Sequence, residues 1–295
     1  MTLADLIAGA ERRLLTAGVA FGHGTSNARD EAIWLVLWRL GLPLDADLDA
    51  LATTEVDDAG ARAVDELITR RIETRRPAAY LTGEAWLQGV PFHVDERVIV
   101  PRSFIAELIA DGGFDAWLSE DTREVLDLCT GNGSLAVLAA MAWPDVRVTG
   151  ADISPDALDV ARLNVQRHGL QERITLVRSD GLAACPGPWD LILCNPPYVN
   201  ATSMAALPPE YRAEPEIALS GNMDGGADGM DFIRRFLADA PARLSPHGVI
   251  VLEIGNEREH FERAFPGLAA VWLPTSAGDD QVLLITAEAL GLFFA

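Results

Sequence analysis

The residues with the clearest chemical potential are Asn195-Pro196-Pro197-Tyr198, which follow the apolar run DLILC at 190–194. Proline cannot donate to a sheet ladder, so a core strand must stop there. The Asn195 side-chain oxygen and the Pro196 carbonyl are two acceptors, and the ring of Pro197 stiffens the turn that carries them. Two acceptors at fixed spacing match the two hydrogens of a planar NH2 group. Tyr198 adds a flat face that can pack on a conjugated group or favour a cation. The tetrapeptide therefore reads as a clamp for an amide or an exocyclic base amine.

Three further sites stand at the ends of predicted strands. The first is Asp127-Leu128-Cys129-Thr130-Gly131-Asn132-Gly133, where glycines permit a tight turn and close backbone approach to a ligand. It is not the G-x-G-x-x-G of dinucleotide binders, because Ala136 stands where a third glycine would fall. On its own, T-G-N-G suits a plain strand-to-helix turn nearly as well. The second is Asp152, about 20 residues past that loop, where a carboxylate can accept from both hydroxyls of a ribose. Asp152 could also simply extend the cap of the helix begun by Ser154-Pro155. Asp180 closes the third run, either to accept from an adenine amino group or to cap a loop.

The elements that must carry these residues alternate. EVLDLC, VRVTGAD, ITLVRSD, DLILCN, GVIVLEIG and QVLLIT read as strands, with SPDALDVARLNVQRHG and GMDFIRRFLADAPARL among the helices between them. This predicts an α/β fold with a mostly parallel sheet covered on both faces, and ligands at the carboxyl ends of its strands. Residues 1–79 show helical periodicity instead: an amphipathic first helix, a second opening at Ser26 or Asn27 and stopping at Gly41, and a third ending before Pro77. Residues 80–100, with Gly83, Gly89 and Pro91 among β-prone runs, predict a hairpin linker. The catalytic domain would then be 101–295. His168 ends a helix and is expected at the surface. Residues 199–230, long and glycine-rich, are expected to form a lid that touches substrate.

Composition narrows the partners. The formal charge is -21, from 44 acidic against 23 basic residues, and 49% of the chain is hydrophobic. Such a surface repels phosphates and would favour a basic partner, although acidity also serves solubility alone. Cys129, Cys185 and Cys194 form no C-x-x-C pair and read as reduced thiols, and no metal site is expected. The first residues lack the basic start of a signal peptide, and no run reaches the roughly 18–20 apolar residues of a membrane span. A cytoplasmic protein is expected, with no membrane contact. The sequence sets no oligomeric state.

Together, Asp127-x-x-x-Gly131-x-Gly133, Asp152, Asp180 and N-P-P-Y resemble class I (Rossmann-like) S-adenosyl-L-methionine-dependent methyltransferases that act on planar amino nitrogens. RRPAAYLTGEAWLQGVPFHVDERVIVPRSFIAELI and EPEIALSGNMDGGADGM are similar to segments of the HemK-like protein-glutamine methyltransferases. Release-factor enzymes usually carry an R-P-E-T-E-like run after the linker. This chain has Arg102-Ser103-Phe104-Ile105-Ala106-Glu107, which with DLCTGNG and PPEYRAEPE is similar to the PrmB-type branch modifying large-subunit ribosomal protein three. Asn132 and Leu135 replace the commoner Ser and Ile of that branch, a neutral change where backbone amides do the gripping.

The resemblance implies cofactor contacts from Asp127, Cys129, Thr130, Gly131, Asn132, Gly133, Asp152, Ile153, Asp180, Gly181 and Asn195. It implies catalytic roles for Asn195, Pro196 and Tyr198, and substrate contacts from those three with Pro197 and Glu214. The expected reaction moves a methyl group to a glutamine amide nitrogen of a basic ribosomal protein, free or in a ribosomal precursor. Asn195 and Pro196 would align the nitrogen and stabilise its developing charge without an obvious general base. Three other readings remain: glutamine methylation of a release factor, methylation of a nucleic-acid base amine, and a non-catalytic cofactor-binding assembly factor. The acidic surface disfavours direct nucleic-acid recognition. A dinucleotide oxidoreductase would leave N-P-P-Y unexplained.

Overall fold

The structure is a computed structural model describing residues 1–295. Its first part is built from helices whose ends follow local chemistry. Helix α1 (Leu3–Ala17) opens on a capping box in which Thr2 and Asp5 each accept the other's backbone N–H, and it ends at left-handed Gly18. Helix α2 (Ala28–Leu40) takes Asn27 rather than Ser26 as its cap and stops at Gly41. A single turn, α3 (Leu48–Leu51), leads to α4 (Asp58–Thr74), capped by Asp57. The apolar faces of α1, α2 and α4 enclose a core of their own around Leu14, Leu35, Leu37 and Ile68.

Helix α5 (Ala78–Thr82) follows Pro77, so the expected linker begins in a helical turn that includes Tyr80. The hairpin itself is shorter than expected: β1 (Glu84–Leu87) pairs antiparallel with β2 (Val90–His93). Gln88 and Gly89 both turn with positive φ, the geometry a two-residue hairpin favours. His168 does not simply face solvent. It is half-buried, with Nε2 2.9 Å from the Pro91 carbonyl and its ring against Phe92, so it helps seat the hairpin on the second part.

That second part alternates as expected: α6 (Phe104–Asp111), β3 (Glu124–Leu128), α7 (Ser134–Ala142), β4 (Arg147–Asp152), α8 (Pro155–Arg167), β5 (Ile174–Arg178) and β6 (Trp189–Cys194). It continues through α9 (Ala201–Ala206), α10 (Asp231–Asp239), β7 (Leu244–Glu253), α11 (Arg258–Ala264), β8 (Val271–Thr275), β9 (Gly278–Thr286) and α12 (Ala287–Phe294). The seven-stranded sheet has the order β5-β4-β3-β6-β7-β9-β8. β3 to β7 run parallel, whereas β9 and β8 pair antiparallel at one side. β8 is the strand that sequence reading missed, because Pro274 interrupts it; an edge position tolerates that proline.

Two apolar layers cover the sheet, one around α6 and α7 and one around α10, α11 and α12. The strand order reverses between β3 and β6, which opens a crevice at their carboxyl ends. No helix is long and apolar enough to cross a membrane.

Charged side chains join the two parts. Arg71 of α4 is 1% exposed; its Nε donates to Glu31 at 2.8 Å and its Nη2 to the Ala20 carbonyl at 2.9 Å. Its Nη1 reaches Glu210, beyond β6, at 3.5 Å, and Arg75 reaches the same oxygen at 3.2 Å. Replacing Arg71 with Met leaves Glu31 and Glu210 short of a buried cation, and unfolding free energy should drop by about 3–5 kcal/mol. Urea titration followed by fluorescence of Trp34 and Trp38 measures this. A loss under about 1 kcal/mol, the worth of an exposed pair, would mean that the arginine is not holding the two parts.

Candidate active site

The glycine-rich turn leaves β3 through Cys129 and Gly131, both with positive φ. Beneath it lies Asp127, fully buried. Its Oδ2 accepts from the Thr130 hydroxyl at 2.5 Å and from the Ala136 amide at 2.9 Å, gripping both ends of the turn. Its Oδ1 has no partner, and burial pushes the carboxyl up to about 7. Asp152, at the end of β4, accepts from the Gly131 amide and from the Ser154 amide, each at 2.9 Å. Burial raises its pKa too, against those amide bonds. The sequence left Asp152 between capping a helix and facing a ligand. Its oxygens steady both the turn and the start of α8, while its side chain also borders a cavity.

That cavity lies at the switch point of the sheet. Of the expected cofactor residues, Cys129, Gly131, Asp152, Ile153, Asp180, Gly181 and Asn195 line it. Asp127, Thr130, Asn132 and Gly133 do not: Asp127 lies beneath the turn and the other three belong to it. Asp180 is the most open of the group, its side chain 59% exposed and 4.0 Å from Arg235. Sequence reading missed the opposite wall: Arg97, Val98 and Ile99 of the linker, with Ile217 and Met223 from beyond β6.

A second cavity meets the first. It is lined by Asn195, Pro196 and Tyr198, together with Arg102, Tyr211 and Glu253. Ile99, Asn195 and Ala218 border both spaces, so Asn195 stands on the seam. The two prolines part company here: Pro196 faces the second cavity, whereas Pro197, expected among the substrate contacts, faces the first. Successive residues of an extended turn point to opposite sides.

Glu253 ends β7 and is buried. Its Oε2 accepts from the Ser103 hydroxyl at 2.6 Å and the Phe104 amide at 2.9 Å, and its Oε1 from the Tyr198 hydroxyl at 3.5 Å. Burial raises its pKa and that of Tyr198. A carboxylate closing the apolar run GVIVLE was the available signal for it.

Glu214 departs from expectation: it lines neither cavity. It is 4% exposed and accepts from both terminal nitrogens of Arg102, at 2.6 and 2.7 Å, and from the Val100 amide at 2.8 Å. Burial alone would raise its pKa, but the Arg102 guanidinium outweighs that and holds the carboxyl at about 2. Its work is to hold Arg102 against the second cavity.

The segment 199–230 roofs both spaces, and Glu210 and Glu214 tie it down. At Gly229 (φ 78°) a Cβ would sit 2.0 Å from the Tyr198 carbonyl, so only glycine lets this strap close over N-P-P-Y.

The pattern of the Methyltransferase small domain family matches residues 114–207. Much longer matches come from curated proteins named ribosomal protein uL3 glutamine methyltransferase. The Bordetella pertussis protein is 54% identical over 98% of this chain and 96% of its own length. The Burkholderia pseudomallei protein is 52% identical over 98% and 95%, and that of Neisseria gonorrhoeae 46% over 98% and 95%. The chain belongs to the ribosomal protein uL3 glutamine methyltransferase family. It is a class I methyltransferase, an enzyme whose cofactor is S-adenosylmethionine.

The first cavity suits that cofactor. Asp152 offers a carboxylate to ribose hydroxyls, Ile153 and Phe232 offer apolar surface to an adenine, and Gly131 leaves open space where a side chain would intrude. Asp127 Oδ1 and Asn132 Nδ2 are buried without partners.

Asp152→Ala should weaken binding of S-adenosylhomocysteine by about tenfold or more, read by calorimetry; unchanged affinity would refute the ribose contact. A depressed folded pKa contributes stability above the ordinary carboxylate range, and this is lost as pH falls toward the folded value. The stability gap between wild type and Glu214→Gln should thus stay constant down to about pH 4.5 and shrink from there toward about pH 2. Thermal melts across that range test it; a gap already closing near neutral pH would contradict the Arg102 pairing.

Proposed function

We propose that this enzyme methylates the side-chain amide nitrogen of a glutamine in ribosomal protein uL3. The observation that supports this best is the seam: the cavity bordered by Gly131 and Asp152 and a second, partly aromatic one meet at Asn195. When bound, S-adenosylmethionine supplies a methyl group already activated on a sulfonium. The amide nitrogen is the poor partner, because its lone pair is delocalised into the carbonyl.

Asn195 Oδ1 and the Pro196 carbonyl accept the two hydrogens of the amide, which orients the nitrogen at the seam and stabilises the positive charge it gains. Tyr198 packs beside the conjugated group. Its hydroxyl is kept protonated by burial and by the neighbouring Glu253 carboxylate.

Residues 1–79, with a core of their own, are assigned to recognition of the protein substrate, 80–100 to the linker and 101–295 to catalysis. A net charge of -21 suits a basic ribosomal protein. Three free cysteines fit a reducing cytoplasm, the compartment we assign.

The test is transfer of labelled methyl to purified uL3, release factors and ribosomal RNA in parallel, followed by peptide mapping. Label should fall on one glutamine of uL3; label confined to a release factor or to RNA would overturn the reading. Asn195→Ala should bind cofactor normally yet lose about 10²-fold or more in turnover, as other lost charge-stabilising contacts do. Near-normal turnover would remove Asn195 from its assigned role.

A further inference from the structure

Tyr211 joins two regions far apart in the chain. It lines the acceptor cavity beside Arg102 and Tyr198, yet most of what holds it belongs to the helical part. Its ring lies 4.2 Å from the ring of His23, which is 1% exposed. Its hydroxyl is 3.5 Å from the Phe21 carbonyl and stands where residue 22 would carry a side chain: a Cβ on Gly22 would be 2.1 Å from that oxygen. From the catalytic part, the Arg102 guanidinium sits over the ring at 5.4 Å, itself held by Glu214. Glu210, next in sequence, is gripped by Arg71 and Arg75 of α4 and its flank.

Every side of the ring is thus fixed: hydroxyl end in the notch at Gly22, one neighbour His23, another Arg102, and the backbone pinned at Glu210. A tyrosine has only two torsions to immobilise, so such a wall loses little entropy when substrate packs on it. Beside Arg102 and Glu253, the acceptor cavity has apolar walls at Leu207 and Leu219, and the aliphatic stem of a glutamine is what must cross it to bring an amide to Asn195.

We propose that Tyr211 is a specificity-determining residue for the acceptor, through which the helical domain shapes the cavity that admits the glutamine side chain. This rests on the acceptor reading of that cavity. The helical domain then contributes to selecting the acceptor at the reaction centre, in addition to any docking of the substrate on its own surface. His23, which lines neither cavity, is a positioning residue: it reaches the acceptor through the Tyr211 ring and through Glu214, 3.5 Å from its Nε2, which holds Arg102.

The experiment uses the full-length enzyme with unmodified uL3 and labelled S-adenosylmethionine. Tyr211→Ala should raise KM for uL3 by about tenfold, the scale of a lost aromatic contact, with S-adenosylhomocysteine affinity within about twofold of wild type. Tyr211→Phe keeps the ring and should stay within about threefold of wild-type kcat/KM. His23→Ala should move KM for uL3 in the same direction, again without touching cofactor affinity. Unchanged KM for uL3 in Tyr211→Ala, or an equal loss of cofactor binding, overturns the proposal. Should Tyr211→Ala fail to fold, Tyr211→Leu, which keeps bulk without the flat ring, replaces it with the same expectations. A wild-type enzyme that leaves uL3 unlabelled sinks the functional reading. A wild-type enzyme that labels it, beside a Tyr211→Ala variant of normal KM, sinks the role of Tyr211 alone.

Discussion

A charge removed from water must meet an opposite charge, and that constraint organises this molecule. The roof segment carries two buried carboxylates, Glu210 and Glu214, at 0% and 4% exposure. Their cations come from elsewhere: Arg71 and Arg75 from the helical part and Arg102 from the start of the catalytic part, just past the linker, whose Val100 amide also donates to Glu214. Because neither acid can be left alone, the helical part, the linker and the roof are locked in one arrangement. The acceptor cavity is what this arrangement encloses. Arg102 is held in its wall by Glu214 and by the Val100 carbonyl, and Tyr211 lies between the two acids in sequence.

The Asn-Pro-Pro turn depends on that enclosure. Its prolines set the spacing of the acceptors, but spacing alone would leave them in water, where an amide NH2 already has partners. Beneath the roof they border a cavity that Glu253 also lines, where a hydrogen bond competes less with solvent. The same turn divides the space. Pro197 looks to the first cavity and Pro196 to the second, so one short segment borders both.

Asp127 shows how the cofactor side is kept open for a ligand. Its carboxylate is spent on the Thr130 hydroxyl and the Ala136 amide, which fixes the turn from below and leaves the outer surface to Gly131 and Asp152. Such a design separates residues that shape from residues that touch. Four of the residues expected to meet the cofactor accordingly do not line the cavity.

Much of this was legible in the chain itself. The alternation of strands and helices, the cap of α2, the ends of β3, β4, β5 and β6, and the family all follow from local pattern, because strand period, capping and proline chemistry act between near neighbours. β8 was hidden by Pro274, tolerable only at an edge that no single sequence reveals.

The tertiary structure decided the rest. Glu214 reads as a plausible substrate contact until Arg102, 112 residues away in sequence, occupies both its oxygens. Glu253 and Tyr211 join Asn195 at one cavity, and Phe21, Gly22 and His23 meet Tyr211 across nearly the whole fold. Strand ends and motifs are written in neighbouring residues. Which buried charge finds which partner is written only in the packing, because that choice is made when distant segments leave water together.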